Sequence, residues 1–250
     1  MKIIGSIEAR MGSMRLPGKT LMPVFDGMSL LECVVRRFQQ CESIEDIIVA
    51  TTVSEKDDPI ARWCQKHQVK FFRGSENNVL DRVIRAANTC AADAIVQMGA
   101  DSAYLDFELM ETLIQIYQSG DYDYVCNDLV LTYPLGIYGH IVRVATLEQL
   151  NLRPDLTEND RIDVVRKLFE EPDQFRIKNR EADPDFRFPQ LRLTIDYSED
   201  LEQARQIYAH FNGYRFTTRE IIALYKQRPD FFEKTMHLVQ QSAPHIRVKK

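Results

Sequence analysis

The sequence holds no run of about 18 or more apolar residues, the length a membrane-crossing helix requires. Met1 and Lys2 pass straight into a short strand-like stretch without a signal-peptide pattern, so the chain reads as cytoplasmic, neither membrane-spanning nor secreted. Positive charge is in deficit: 32 Lys+Arg stand against 37 Asp+Glu, a formal net charge of −5. Bulk nucleic-acid binding calls for clustered positive charge and is excluded, so any anionic ligand must be held locally. The five cysteines, Cys33, Cys41, Cys64, Cys90 and Cys126, include no C-x-x-C pair, which argues against zinc or a disulfide framework and for buried thiols. A G-x-G-x-x-G fingerprint is absent, as are internal repeats and low-complexity tracts. What is present, 250 residues with 44% hydrophobic and 28% charged, is enough for one globular domain with a full core.

The first half alternates strand and helix signals. Lys2 to Ile7 is an apolar strand, and Leu30, Leu31, Val34, Val35 and Phe38 recur at helical spacing. Strands follow at Ile47–Ala50, Val69–Phe72, Ala94–Met98 and Tyr124–Asn127, with helices at Pro59–His67, Val79–Cys90 and Leu109–Gln118 between them. Asp58 is expected to cap the Pro59 helix. This βαβ rhythm predicts an α/β fold with a mainly parallel sheet and helices on both faces. From about 130 to 187 the rhythm weakens, as an inserted subdomain or subunit contact would make it. It resumes with a strand at Leu191–Ile195 and a helix from about Glu199 to Phe211. Thr217 and Glu220 then form a capping-box pattern opening C-terminal helices over 217–241, before a short basic tail from Pro244 to Lys250. Ligands of such sheets sit beyond the carboxyl ends of the strands.

The strongest signal lies in one such loop, Ala9 to Lys19. Arg10, Arg15 and Lys19, with Gly12, Gly18 and Ser13 among them, follow the first strand directly. Cationic side chains and accessible backbone N–H groups can converge there on the oxygens of a polyphosphate. A Walker loop is the competing pattern. It requires four residues between its glycines, whereas five separate Gly12 from Gly18, and Pro23 obstructs the helix that should start at the lysine.

The run Arg10 to Lys19 resembles the signature loop of the cytidylyltransferase family that activates acidic sugars, and most closely its spore-coat-polysaccharide branch. Asp57–Ile60, Phe72–Arg82 and Leu191–Glu202 agree, so the likeness spans about residues 1 to 130 and 175 to 225. The resemblance implies a single three-layer αβα domain over 1–250, with a Rossmann-like sheet of the nucleotide-diphospho-sugar transferase type and an inserted dimerisation subdomain. It implies transfer of CMP from CTP to an acidic or unusual sugar, release of pyrophosphate, dependence on Mg2+ and a homodimer. In-line nucleotidyl transfer needs positioning and a cation that neutralises the leaving pyrophosphate. Magnesium takes one or two carboxylates plus phosphate oxygens and water. Asp101, just past one strand, and Asp196, at the end of another, suit that role, and the resemblance assigns both to the metal. It implies Lys19, Arg10 and Asp101 as catalytic residues. The nucleotide contacts implied are Ala9, Arg10, Gly12, Ser13, Arg15, Lys19, Arg73, Ser75 and Gln97, with Asp81, Arg82 and Glu8 as further neighbours.

The chain also departs from the family pattern. Ala100 replaces a glycine before Asp101. Where relatives carry acidic residues near the acceptor, this chain has Leu135, Tyr138 and His140, and Asp160–Val164 lacks the relatives' Glu-His pair. Tyr133, Tyr138 and His140 are therefore candidates for lining the pocket of a different acceptor. Two alternatives stand beside the leading expectation. One keeps the reaction with another nucleotide or a sugar-phosphate acceptor, and the other is a nucleotide-binding relative with weakened catalysis.

Overall fold

The computed structural model describes residues 1–238; the basic tail and the end of the expected C-terminal helices lie outside the described residues. From the amino terminus, β1 (Ile3–Glu8) leads through the basic loop to β2 (Pro23–Phe25), β3 (Met28–Ser29), α1 (Leu30–Phe38), β4 (Asp46–Thr52) and α2 (Asp58–Lys66). Then come β5 (Lys70–Gly74), α3 (Val79–Thr89), β6 (Ala94–Gly99), α4 (Phe107–Ser119), β7 (Tyr124–Cys126) and β8 (His140–Arg143). The rest comprises α5 (Val144–Asn151), α6 (Glu158–Ile162), α7 (Arg166–Glu170), β9 (Ile177–Asn179), α8 (Ser198–His210), α9 (Thr218–Gln227) and α10 (Glu233–Met236).

Seven strands form one sheet in the order β5-β4-β1-β6-β8-β7-β9. The first four are parallel, β8 runs against both its neighbours, and β7 is parallel to β9. Side chains alternate across the sheet and both faces are apolar, as a helix-covered parallel sheet requires. Ile3, Ile7 and Val96 pack on one face with Leu31 and Val34 of α1, Leu113 of α4 and Ile207 of α8. Ile4, Ile48 and Ile95 pack on the other with Val83 of α3, Leu147 of α5 and Leu168 of α7. The fold is therefore the expected three-layer α/β arrangement.

The amphipathic face of α1 also carries Arg37, which is fully buried. Its guanidinium donates to the carbonyls of Leu105 at 2.6 Å, Tyr214 at 2.5 Å and Phe216 at 2.7 Å. Those dipoles compensate its lost hydration and join three distant loops.

Three details differ from the sequence expectation. The cap of α2 is Asp57, one residue before the expected Asp58, and its carboxylate is directed away from the helix toward the basic loop. Leu191–Ile195 is extended but forms no strand of the main sheet. It makes one parallel bridge, Arg192 opposite Leu135, because Pro134 lacks an N–H there and Gly136, at φ 98°, turns its partner chain away. The segment from 130 to 187 contributes β8 and β9 to the same sheet. All five cysteines are buried and free, and burial pushes the Cys33, Cys41 and Cys64 thiols up to about 12, leaving them protonated and unreactive. No helix among the described residues is long and apolar enough to cross a membrane.

Candidate active site

The basic loop is held at both ends by hydrogen bonds. Met11 N donates to Asp57 Oδ1 at 2.7 Å, while Asp57 Oδ2 accepts from the Thr52 hydroxyl at the end of β4. The Thr20 hydroxyl returns to the Arg10 carbonyl at 2.8 Å, and Gly18 N donates to the Met11 carbonyl at 3.0 Å. Lys19 opens a single 3-10 turn, Lys19–Leu21, and no α-helix begins there. The basic segment is thus a closed loop and not a helix terminus, as the position of Pro23 requires.

Lys19 is buried, and its Nζ donates to Asp101 Oδ2 at 2.7 Å, the Ile195 carbonyl at 2.5 Å and Asp196 Oδ1 at 3.3 Å. Arg15 donates to the same Asp196 oxygen at 2.7 Å. Asp101 reaches this point because a side chain at Gly99 would lie 2.6 Å from its Oδ1. The extra methyl of Ala100 is buried, and Ala100 N is bonded to the Glu8 carbonyl at 2.9 Å. Asp196 is supported from behind. Asp200 accepts from the backbone N–H groups of Asp196 and Tyr197, both at 2.9 Å, and is clamped by Arg192 at 2.8 Å and 2.9 Å. Such bidentate pairing holds the segment rigid.

These groups open onto a cleft of about 440 Å³ beyond the carboxyl ends of β1 and β6. It is lined by Glu8, Ala9, Arg10, Ser13, Arg15, Lys19, Asp101 and Asp196, and also by Val79, Arg82 and Ile162. A second cavity of about 240 Å³ shares Arg15, Asp101 and Asp196 and is otherwise lined by Ser102, Gly136, Tyr138, Leu193 and Thr194. Two cavities therefore meet at one cluster of two acids and two cations.

The family model described as Cytidylyltransferase matches residues 4–243. The chain is 34% identical over 236 residues to the spore coat polysaccharide biosynthesis protein SpsF of Bacillus subtilis, covering 91% of this chain and 95% of that protein. The chain belongs to the cytidylyltransferase family. The structure of a cytidylyltransferase from Leptospira borgpetersenii superposes with a TM-score of 0.88 at 26% identity, covering 97% of this chain and all of that one. A 3-deoxy-manno-octulosonate cytidylyltransferase of Koribacter versatilis is 31% identical over 118 residues, 46% of this chain and 43% of that protein. Membership of this family makes the chain a nucleotidyltransferase.

Within this cytidylyltransferase, the residues singled out from the sequence fall into two groups. Ala9, Arg10, Ser13, Arg15, Lys19, Asp101 and Asp196 meet at the cleft, and Arg82 joins them from α3. Arg82 donates to the Ser75 carbonyl at 2.5 Å, and burial lowers its pKa against the opposing pull of Glu8. Gly12, Arg73, Ser75 and Gln97 do not line the cleft. Arg73 instead donates to the carbonyls of Thr52 at 2.8 Å and Ser54 at 2.9 Å and pairs with Asp58 at 2.7 Å, bracing the ends of β4 and β5. Ser75 accepts from the backbone of Asn77 and Asn78 at 3.2 and 3.1 Å, shaping the turn into α3.

Of the acceptor candidates, Tyr138 lines the smaller cavity, with its hydroxyl 2.7 Å from Ser102 Oγ. Tyr133 is buried against Phe186, and His140 is buried between Asp128 and Gln97. Burial alone would lower the His140 pKa, but the Asp128 carboxylate carries it above the ordinary histidine value. Ser102 and Asp128 had no distinguishing pattern in the sequence, and Asp57 was marked only as part of a stretch matching the family. Ser102 meets Tyr138 36 residues on and Asp57 meets Met11 46 residues back, and no local spacing marks such contacts.

Proposed function

We propose that this chain is a magnesium-dependent cytidylyltransferase that joins CMP from CTP to an acidic or unusual sugar and releases pyrophosphate, serving surface-glycan biosynthesis. The observation that carries this reading is the Lys19 ammonium held among Asp101, Asp196 and the Ile195 carbonyl at the floor of the cleft. Two carboxylates and a carbonyl already converge on one cation, which is the hard-oxygen donor set magnesium prefers. Among the described residues no cluster of three or more His, Cys, Asp or Glu could hold a metal. The remaining ligands of the ion would be phosphate oxygens and water, as magnesium in phosphoryl-transfer sites usually has. Bound there, magnesium would neutralise the charge that develops on departing pyrophosphate.

The protein's own part is binding and orientation. Arg10 and Arg15 supply charge-assisted donors to the triphosphate, Lys19 turns its ammonium to it when the metal takes its place between Asp101 and Asp196, and Ser13 and Ala9 let backbone approach closely. The Asp57 and Thr20 hydrogen bonds keep the loop in one conformation, so less ordering cost falls on nucleotide binding. The smaller cavity beside Asp101 and Tyr138 receives the acceptor hydroxyl. The similarity to a spore coat polysaccharide protein supports the glycan assignment. A homodimer belongs to the same reading.

Lys19→Ala and Asp101→Asn should each lower pyrophosphate release by roughly two or more orders of magnitude while leaving the thermal midpoint within a few degrees. Near-normal rates in either variant would refute the role assignment. A second reading, a nucleotide-binding relative with weak turnover, rests on the missing acids at Leu135, Tyr138 and His140. Tight CTP binding without turnover across a broad acceptor panel would favour it.

A further inference from the structure

Behind the cleft wall, four side chains far apart in the sequence form one hydrogen-bonded file. His140, at the start of β8, stands opposite Gln97 of β6 in the sheet register. Its Nδ1 lies 3.0 Å from Gln97 Oε1, and its Nε2 lies 3.0 and 3.1 Å from the two Asp128 oxygens. Gln97 Nε2 in turn donates to Glu8 Oε1 at 2.6 Å. Glu8 is the last residue of β1, and of the four it alone lines the cleft.

The polarity of this file is fixed by what each group can donate. With its amide nitrogen turned to Glu8, Gln97 offers its oxygen to His140, so Nδ1 carries a proton; Nε2, facing a carboxylate, carries one as well. The His140–Asp128 pair thereby holds the amide of Gln97 in one orientation, and Gln97 holds Glu8. Among the described residues Gln97 is the only hydrogen-bond partner of the Glu8 side chain, which leaves Oε2 as an acceptor. Glu8 is half-buried and lines the cleft, so a ligand group that supplies an N–H can take the place of water at that oxygen.

The surroundings say which part of a nucleotide reaches it. In the proposed reading Arg15, Lys19 and the two acids take the phosphates. Val79 and the 48%-exposed Ile162 line it alongside Glu8 and Arg82, and they offer apolar surface to a planar base.

The geometry points to Glu8 as the residue that reads the base, its carboxylate oxygen accepting from the 4-amino group of cytosine and repelling the carbonyl oxygen that uracil presents at that edge. Gln97, His140 and Asp128 are positioning residues for it. This inference rests on the cytidylyltransferase reading of the cleft.

Calorimetric titration of the full chain with CTP and with UTP, both with magnesium, tests it. In Glu8→Gln the new amide keeps its oxygen toward the Gln97 donor and turns its NH2 into the cleft. The preference for CTP over UTP should fall at least tenfold, with UTP binding more tightly than in the wild type. Glu8→Ala should weaken CTP and tighten UTP by relieving that repulsion, and His140→Phe should reduce the preference part-way in a protein with native circular dichroism. Equal weakening of both nucleotides, as contact with a ribose hydroxyl would produce, overturns the assignment, as does an unchanged preference in both Glu8 variants. A wild-type chain with no preference for CTP overturns the cytidylyltransferase reading itself, which keeps the two failures apart.

Discussion

Glu8 sits where β1 meets the cleft, and burial pushes its carboxyl from the ordinary 4.5 up to about 7, against the lowering effect of the Gln97 hydrogen bond. Because the folded value exceeds the unfolded one, the stability this group contributes is fully present below about pH 4.5 and is lost as pH rises through about 7. Replacing it with glutamine removes that dependence. The stability of Glu8→Gln relative to the wild type should therefore improve between pH 5 and pH 8 by about 1–3 kcal/mol, read from urea midpoints at the two values. A difference that does not change with pH would contradict the environment described for Glu8. At this scale the sequence is uneven. Arg10, Arg15 and Lys19 are legible because they share one loop after one strand, so proximity in the chain is proximity in space. Glu8, Gln97 and His140 are named from the resemblance only as separate contacts, and Asp128 carries no signal; their joining into one file depends on the sheet register that sets β6 beside β1 and β8.

Among the elements, the segment that carries Asp196 depends most on a backbone fit. Gly136, at φ 98°, passes so near this segment that a Cβ would lie 2.1 Å from the Leu193 carbonyl oxygen. Gly136→Ala should force Leu193–Asp196 to shift, costing roughly 1–3 kcal/mol by thermal unfolding. It should also lower turnover about tenfold or more, since sub-ångström placement of charged groups governs such chemistry. Normal activity in a folded Gly136→Ala protein would show that Asp196 needs no such placement. The helices, the four parallel strands and the capping box at Thr217 and Glu220 follow from hydrophobic period and cap chemistry, which are local. Leu191–Ile195 has the same apolar, β-branched character as a sheet strand. Its pairing is decided by the Pro134–Gly136 stretch that faces it, 55 or so residues away, and no periodicity in the strand itself reports that.

For the whole molecule, the cleft lies between groups from every third of the chain, so a nucleotide bound there holds the loop after β1, the turn after β6 and the segment before α8 together. CTP with magnesium at about 100 times its dissociation constant should stabilise the folded state by about 2.7 kcal/mol and raise the thermal midpoint accordingly. Lys19→Ala should lose most of that shift while its midpoint without ligand stays close to that of the wild type. An equal shift in the variant would remove Lys19 from the binding site.

Considered as a chain, the residues specify the layered α/β architecture and the phosphate-facing loop, because both are written in short-range patterns: alternation, helical spacing, caps, and cations clustered beside glycine. They also point to buried thiols, since most of the five cysteines sit on apolar faces of helix-like stretches, and all five are buried. Only the folded sheet decides that Lys19 lies between Asp101 and Asp196, that Arg73 and Ser75 brace the scaffold outside the cleft, and that His140 stands behind Glu8. Those outcomes depend on which strands become neighbours and on where Gly136 lets two segments touch. The free energy that selects such contacts comes from burying the whole core at once, and no window of sequence carries it.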